Sequence, residues 1–321
     1  MKKIKISFLF NYDMRNTLIL ELIKLVSKKE IEIVPISQCD LLIFGPYDTY
    51  SIKRKLINLI KRKINKIDTF FPNIDFYLLK RKIKPIKLFH TLENYYPTIN
   101  IKYDFAITSY LGIGNQNHLR FPSWKEHIDW SPLKIINKLA EGTKRFGSFY
   151  NIKDLMKPQG NEFLTKERKI CLITSHLNEP RRSMYESLSK KFVVDGYGPY
   201  FDKKISNHNF SNFTKKDILN KYAFNLCPEN NLYPGYYSEK IPDAFLGKCL
   251  PISWADNNVN YDFNDKSFVN LLNHTKDNYE EISNLLKDDN FLKKYTDQPL
   301  FLKEPSLDEE IKFITKIVNC L

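Results

Sequence analysis

The chain has 321 residues and a formal net charge of +13, from 50 basic and 37 acidic side chains. Apolar residues make up 42% of it, which excludes a disordered chain, because burying them can offset the entropy of ordering. No apolar run approaches the roughly 18 residues that cross a bilayer. The apolar run that begins at Ile6 stops at Asn11, too early for a secretory signal, and is typical of a buried strand.

The first hundred residues alternate strand-like and helix-like segments. Residues 4–10, 31–36 and 40–45 are apolar and rich in β-branched side chains, whereas residues 17–26 have apolar side chains at helical spacing. Strands and helices that alternate with short connections are typical of a parallel sheet covered by helices. The N-terminal half is therefore predicted to be an α/β domain.

The segment Lys53–Lys84 is strongly basic and also carries leucines and isoleucines. This pattern predicts one or two amphipathic helices. Their charged side can be an ordinary solvated face, or it can bind an anionic membrane surface or a negatively charged glycolipid. Nucleic acid is the weakest candidate partner, because its bases need aromatic side chains interleaved with the charges and here the two are mostly apart.

A second α/β series follows a loop-like segment near Lys157. Its strand-like segments are residues 170–174, 192–198, 223–227 and 249–254. At about 150 residues per domain, the length predicts two domains, which we place at residues 1–157 and 158–321. The C-terminal segment Asp308–Leu321 is predicted to form an amphipathic helix that packs back onto the first domain. Its apolar residues do not follow a heptad repeat, so a coiled-coil dimer is not supported.

Several common site types do not fit this chain. It contains neither the phosphate-binding loop G-x-x-x-x-G-K-[ST] nor the dinucleotide motif G-x-G-x-x-G. Its cysteines have neither disulfide-framework nor zinc-ligand spacing and are predicted to be reduced thiols of a cytosolic protein. They are Cys39, Cys171, Cys227, Cys249 and Cys320.

The residues best suited to chemistry are concentrated in 221–254. Pro242 is tolerated only in the first turn of a helix, so a helix is predicted to begin within a residue or two of Ser238. Its free amide groups and Lys240 would favour a phosphate group. Tyr236 could stack on a nucleobase or a sugar face.

Three runs within this stretch form a recognisable pattern. They are Phe224-Asn225-Leu226-Cys227-x-Glu229-Asn230, then Gly235-Tyr236-x-Ser238-Glu239-Lys240-Ile241-x-Asp243-Ala244, and Pro251-Ile252-x-Trp254. The pattern resembles the donor-binding motif of the α1,3/4-fucosyltransferases, glycosyltransferase family 10, in its bacterial form. Weaker similarity extends it over about residues 85–270, including 175–198 and 262–270.

The resemblance implies a GT-B-like α/β fold, with two Rossmann-like domains facing across a cleft. The N-terminal domain, 1–157, would bind the acceptor and carry the catalytic base, and the C-terminal domain, 158–321, would bind the GDP-sugar. Lys240 and Arg181 would contact the pyrophosphate. Arg182 is the alternative to Arg181, because the local alignment can slip by one residue.

The resemblance also assigns roles around the sugar and the base. Tyr236 would lie by the guanine or the ribose, with Asn230 and Ser238 lining the pocket. Glu239 would hydrogen-bond the fucose and stabilise positive charge that develops on its ring. Glu93, in a segment similar to the family's base-bearing segment, would remove the proton of the acceptor hydroxyl.

The implied reaction is inverting transfer of L-fucose from GDP-β-L-fucose to a glycan hydroxyl. The acceptor would be a GlcNAc- or LacNAc-type glycan or a lipopolysaccharide chain, the linkage α1,3 or α1,4, and the location cytoplasmic or peripheral at the inner membrane. Departures from the family pattern at Pro228, His176 and Ala255 keep a second donor open, another GDP-deoxyhexose used for O-antigen or capsule. A non-catalytic glycan- or nucleotide-binding module is the third interpretation.

The sequence predicts activity without a cofactor or a metal ion. Many transferases neutralise the leaving diphosphate with a divalent ion held by Asp-x-Asp, and this chain contains no Asp-x-Asp. Lys240 and Arg181 would then stabilise the charge as preorganised donors. Turnover of GDP-fucose should therefore be unchanged in excess chelator, whereas strict dependence on Mn²⁺ would contradict this prediction.

Overall fold

A computed structural model of the chain divides into two compact units. The first unit is formed within residues 1–121, 133–138 and 307–321, and the second within residues 122–132 and 139–306. The residues that the structure describes are 3–9, 17–46, 84–95, 102–112, 114–135, 145–201, 214–274, 279 and 281–321. The chain therefore leaves the first unit and returns to it with its last segment.

The first unit is built on a parallel sheet. Its strands are β1 (Ile4–Leu9), β2 (Ile31–Ile33), β3 (Leu41–Phe44), β4 (Ile86–His90), β5 (Phe105–Thr108) and β6 (His118–Arg120). Their order across the sheet is β2-β1-β3-β4-β5-β6. Every residue of β3 and β5 is buried, as is typical of parallel strands covered on both faces.

The second unit contains a separate parallel sheet. Its strands are β7 (Ile170–Ile173), β8 (Val194–Tyr197), β9 (Phe224–Leu226), β10 (Leu250–Ser253) and β11 (Val269–Asn270), in the order β11-β10-β9-β7-β8. Phe224 is level with Leu250 on one side and with Ile170 on the other, and all three are fully buried. This apolar layer forms the centre of the second core.

The helices of the described residues are short apart from the first and the last. They are α1 (Leu18–Ser27), α2 (Ile152–Leu155), α3 (Glu162–Thr165), α4 (Arg181–Ser189), α5 (Lys215–Leu219), α6 (Lys240–Leu246), α7 (Leu271–His274), α8 (Ile282–Leu285), α9 (Asp289–Lys293) and α10 (Asp308–Val318). Short 3₁₀ helices span Ile36–Gln38, Ser123–His127, Ser131–Leu133 and Asn257–Tyr261. None of the helices described is long and apolar enough to cross a membrane.

The C-terminal helix completes the first unit. α10 packs against α1, and its Phe313 ring meets Phe105 of the sheet edge-on with centroids 5.9 Å apart. Ile314 and Ile317 of the same helix are fully buried. The predicted amphipathic helix at the C-terminus and its return to the first domain are therefore confirmed.

The strand order of the second unit reverses between β7 and β9. From β7 the chain moves outward to β8, and it then crosses back to β9 and continues in the opposite direction. In an open parallel sheet, such a switch point leaves a crevice beyond the carboxyl ends of the two strands, where ligands bind. The segments that follow β7 and β9 are therefore the first place to look for a site.

The boundaries between the two compact units lie at residues other than Lys157, where the sequence predicted the domain boundary. Residues 122–132 join the second unit because Ile128 pairs with Tyr150, with the Tyr150 amide donating to the His127 carbonyl at 2.8 Å. Lys157 therefore lies inside the second unit. An acceptor-binding and a donor-binding half remain a prediction.

Two other sequence predictions concern charge and cysteines. The basic segment Lys53–Lys84 lies outside the described residues, except for Lys84, which is exposed. All five cysteines are free thiols, and Cys171, Cys227 and Cys249 are buried.

Candidate active site

Three of the predicted site residues meet at the switch point of the second sheet. Arg181 opens α4, which follows β7, while Asn230 follows β9 and Lys240 opens α6. Arg181 donates from Nη2 to the side-chain oxygen Oδ1 of Asn230 at 2.8 Å, and Lys240 Nζ donates to the same oxygen at 3.3 Å. Asn230 is exposed, so one solvent-accessible oxygen joins a guanidinium to an ammonium.

Arg181 is held on both sides of its guanidinium. Its Nη1 donates to the hydroxyl of Thr174 at 2.9 Å and to the carbonyl of His176 at 2.8 Å, in the segment that leaves β7. Burial lowers the pKa of Arg181, and the negative charge of Glu229 opposes that effect. Because guanidinium pKa values start above 12, Arg181 stays charged and preorganised.

Glu229 belongs to the motif Cys227-x-Glu229-Asn230, which predicted no role for it. Its side chain is 1% exposed and accepts from Lys240 Nζ at 2.9 Å. The same carboxylate accepts from the Ser238 amide at 2.8 Å and from the Ser238 hydroxyl at 2.9 Å. Glu229 therefore anchors both Lys240 and the segment that leads into α6. Glu229 follows β9 after Cys227 and Pro228, and a single carboxylate after a strand is too common a pattern for the sequence to identify it.

Ser238 and Tyr236 lie beside this junction. Ser238 is 4% exposed and its hydroxyl donates to Glu229, so it stabilises the buried side of the site. Tyr236 is 6% exposed, and its hydroxyl lies 3.5 Å from the side-chain nitrogen Nδ2 of Asn230. The structure brings both residues to the site, while their predicted contacts with the donor remain predictions.

Arg182, the alternative to Arg181, lies elsewhere. Its side chain is exposed, and its Nε donates to the carbonyl of Leu177 at 3.2 Å rather than to Asn230. The contacts therefore favour Arg181 of the two arginines as the cation of the junction.

Glu239 is the residue before α6, which begins at Lys240, within two residues of Ser238 as predicted. Burial alone would raise the pKa of its carboxyl. The ammonium groups of Lys215 and Lys240, together with His127, outweigh that effect and lower the pKa of Glu239 to about 2. Burial lowers the pKa of His127 itself, so the two lysines supply the positive charge at neutral pH. Glu239 is therefore a carboxylate at neutral pH.

Glu93 belongs to the first unit and follows β4. Its amide donates to the hydroxyl of Thr91 at 3.1 Å, and its carbonyl accepts from the Ser109 hydroxyl at 3.2 Å. Thr91 and Ser109 are fully buried, whereas Glu93 is half-buried. The backbone of Glu93 is thus fixed at the carboxyl edge of the first sheet. Its predicted role as the base remains a prediction.

No group of three or more histidine, cysteine, aspartate or glutamate side chains placed to hold a metal ion occurs in the described ranges. The positive charge around Asn230 is instead supplied by side chains.

Comparison with known proteins gives a family match in the second unit. Residues 163–300 match the model of glycosyltransferase family 10 (fucosyltransferase), C-terminal part. Alpha-(1,3)-fucosyltransferase FucT of Helicobacter pylori is 29% identical over 218 residues, which cover 63% of this chain and 43% of that protein. A 4-galactosyl-N-acetylglucosaminide 3-alpha-L-fucosyltransferase of Mus musculus is 27% identical over 103 residues, 32% of this chain and 27% of that protein. The alignments thus span less than half the length of these relatives.

Solved structures match the whole chain. A crystal structure of an alpha1,3-fucosyltransferase superposes with a TM-score of 0.64 at 22% identity, covering 99% of this chain and 90% of the other. A crystal structure described as alpha1,3-fucosyltransferase with GDP-fucose gives a TM-score of 0.62 at 21% identity, with 99% and 91% covered. These matches and the two parallel sheets confirm the predicted GT-B-like α/β fold.

Replacing Glu229 with alanine should destabilise the second unit by about 3–5 kcal/mol, because it leaves the Lys240 ammonium without its buried counter-charge. Urea unfolding followed by circular dichroism measures the change. The control is Glu167→Ala, which removes an exposed pair with Lys169 and should leave the unfolding midpoint nearly unchanged. Equal unfolding midpoints for the two variants would show that Glu229 does not anchor the site.

Proposed function

The chain belongs to glycosyltransferase family 10 through its residues 163–300, and from this premise we propose that it is an inverting fucosyltransferase. It would transfer L-fucose from GDP-β-L-fucose to a hydroxyl group of a glycan. The observation that carries the proposal is the convergence of Arg181 and Lys240 on Asn230 Oδ1, at the switch point of the second sheet.

The Asn230 oxygen occupies a position suited to a diphosphate oxygen. It accepts from one guanidinium and one ammonium, and an incoming phosphate oxygen can accept from the same two donors with a full negative charge. The negative charge of the phosphate adds a Coulomb attraction to both cations that the neutral amide of Asn230 lacks. Replacement of Asn230 Oδ1 by a diphosphate oxygen as the acceptor of these two hydrogen bonds therefore favours binding of the donor.

The same two cations suit the leaving group. As the bond from fucose to GDP breaks, negative charge accumulates on the β-phosphate, and donors already aimed at that position stabilise it without reorganisation. Arg181 is preorganised by Thr174 and His176, and Lys240 by Glu229. We propose that these side chains replace a metal ion and that no cofactor is needed.

The two carboxylates would act on the sugar and on the acceptor. Glu239, half-buried and ionised, would hydrogen-bond the fucose and stabilise the positive charge of an oxocarbenium-like transition state. Glu93 would take the proton of the attacking hydroxyl, a step typically worth about 10²–10⁴ in rate. A single base suffices for inversion, because the hydroxyl attacks from the face opposite GDP.

We further propose a β-galactosyl-N-acetylglucosamine type of acceptor, either free or within a lipopolysaccharide chain. The mouse relative is a 4-galactosyl-N-acetylglucosaminide 3-alpha-L-fucosyltransferase, and its acceptor and 3-linkage favour α1,3 over α1,4. The basic segment Lys53–Lys84 would bring the protein to an anionic membrane surface from the cytoplasmic side, and its support is the charge pattern of the sequence.

Arg181→Ala should weaken GDP binding about 10- to 100-fold, because each hydrogen bond to a charged partner is worth about 1.5–3 kcal/mol. Titration calorimetry with GDP measures it. Arg182→Ala is the matched control, one residue along the same helix, and should change the GDP affinity by less than about twofold. A larger loss in Arg182→Ala than in Arg181→Ala would reverse the assignment.

Glu93→Gln should lower turnover about 10²- to 10⁴-fold while GDP-fucose still binds with its original affinity, since the base acts only on the acceptor. Release of GDP from GDP-fucose in the presence of LacNAc measures turnover, with GDP-mannose as the competing donor. Glu30→Gln, in an exposed pair with Lys3, is the control and should retain full activity. Wild-type protein that releases GDP from GDP-mannose but not from GDP-fucose would refute the fucose assignment.

A further inference from the structure

A buried polar cluster adjoins the proposed sugar carboxylate, and the mechanism above does not use it. Asp243 lies one turn after Glu239 along α6, so the two carboxylates share one face of the helix. Asp243 is 1% exposed, and its two oxygens accept from the hydroxyl of Tyr150 and from the ammonium of Lys215. The Lys215 side chain is 14% exposed.

Separate elements hold this cluster in place. Lys215 is the first residue of α5, and Thr214 and Asp217 fix that end of the helix with a reciprocal capping box. The Tyr150 ring stacks on His127 with centroids 5.4 Å apart and planes inclined by 17°. The position of the Lys215 ammonium is therefore set by α5, by α6 and by the segment around Tyr150.

The charges of the cluster act on Glu239 from several elements. Lys215 on α5 and Lys240 on α6 favour its ionised form, and Lys215 has the larger effect. His127 on the 3₁₀ helix Ser123–His127 acts in the same direction only when it is protonated, and burial lowers its own pKa. Asp243 on α6 is the opposing like charge, and its own pKa is raised by burial and by Glu239. Burial lowers the pKa of Lys215, but Asp243 and Glu239 outweigh it and the net direction is upward, so the lysine stays protonated.

We propose that Lys215 is a positioning residue for the transfer reaction, with its ammonium, held by Asp243 one turn along α6 from Glu239, presenting positive charge to the Glu239 carboxylate at the donor sugar. The inference rests on the proposed function, because an ionised Glu239 matters to turnover only where a sugar acquires positive charge. A fixed negative charge in a site with little water stabilises that transition state more than a solvated one does.

A purely structural ion pair would leave a different signature. If Lys215 only stabilised the fold, its removal would lower the unfolding midpoint and would not change how activity depends on pH. If Lys215 keeps Glu239 ionised, its removal raises the pKa of Glu239. Activity is then lost at acidic pH, by about tenfold for each pH unit below the new pKa.

The experiment compares pH profiles of kcat/KM for GDP-fucose. Lys215→Met should move the acid limb to higher pH and leave the affinity for GDP alone within about twofold, whereas Lys215→Arg retains the charge and should retain the profile. Asp243→Asn removes both a like charge beside Glu239 and the partner that holds Lys215, so any upward shift of its acid limb should be smaller than that of Lys215→Met. Lys166→Met is the control, because Lys166 is a half-buried lysine of the same unit that donates to the Lys248 carbonyl and has no contact with the cluster.

An acid limb in Lys215→Met that coincides with that of the wild type would overturn the inference, as would equal upward shifts in Lys215→Met and Asp243→Asn. Carbon-13 titration of the Glu239 carboxyl in the wild type and in Lys215→Met or Lys215→Gln, assigned with Glu239→Gln, tests the same point without turnover. Glu239 of the wild type should remain ionised down to about pH 4 and should titrate at a higher pH in the Lys215 variant, and equal titration curves would refute the inference. Absence of GDP-fucose turnover in the wild type would instead refute the proposed function, and the titration separates the two failures.

Discussion

The candidate site depends on one shared acceptor, the side-chain oxygen of Asn230, which accepts from both Arg181 and Lys240. Two positive groups repel each other, and an acceptor that lies between them offsets this repulsion. The neutral amide supplies that acceptor while adding no negative charge. Glu229 is buried and pairs with Lys240, which compensates one of the two positive charges. The other positive charge remains for an anionic ligand at the exposed side.

The parallel sheet of the second unit makes this convergence possible. Its order reverses between β7 and β9, and the segment after β7 therefore meets the segment after β9 beyond the carboxyl edge. β9 is buried along its whole length, which gives the short Glu229–Asn230 segment a fixed origin. The ion pair of Lys215 and Asp243 connects α5 to α6, one turn along α6 from Glu239.

Much of this architecture could be predicted from local sequence, for identifiable reasons. Short, largely apolar runs predicted β7, β9 and β10, because a strand buried on both faces has mostly apolar side chains. Asn225 interrupts the run of β9, and its buried amide donates to the Cys171 carbonyl at 2.9 Å. The conformation of Pro242 predicted the start of α6 within two residues. The choice between Arg181 and Arg182 depended on the structure, since one residue along a helix turns a side chain by about 100°.

The contacts that local sequence could not predict join distant residues. Tyr150 and Asp243 are 93 positions apart, and Lys215 and Asp243 are 28 apart. No periodicity encodes such pairs. For the same reason the boundary at Lys157 did not anticipate that Ile128 pairs with Tyr150. The roles of Glu93 and Glu239 came from family resemblance, because an isolated carboxylate after a strand or before a helix has no distinctive pattern.

The central claim is that Arg181 and Lys240 together hold the diphosphate of a nucleotide sugar. A crystal structure of the protein with GDP tests it most directly. The account predicts that oxygens of the β-phosphate lie within hydrogen-bonding distance of Arg181 Nη2 and Lys240 Nζ, in place of Asn230 Oδ1. GDP bound away from both side chains, with their contacts to Asn230 intact, would contradict it.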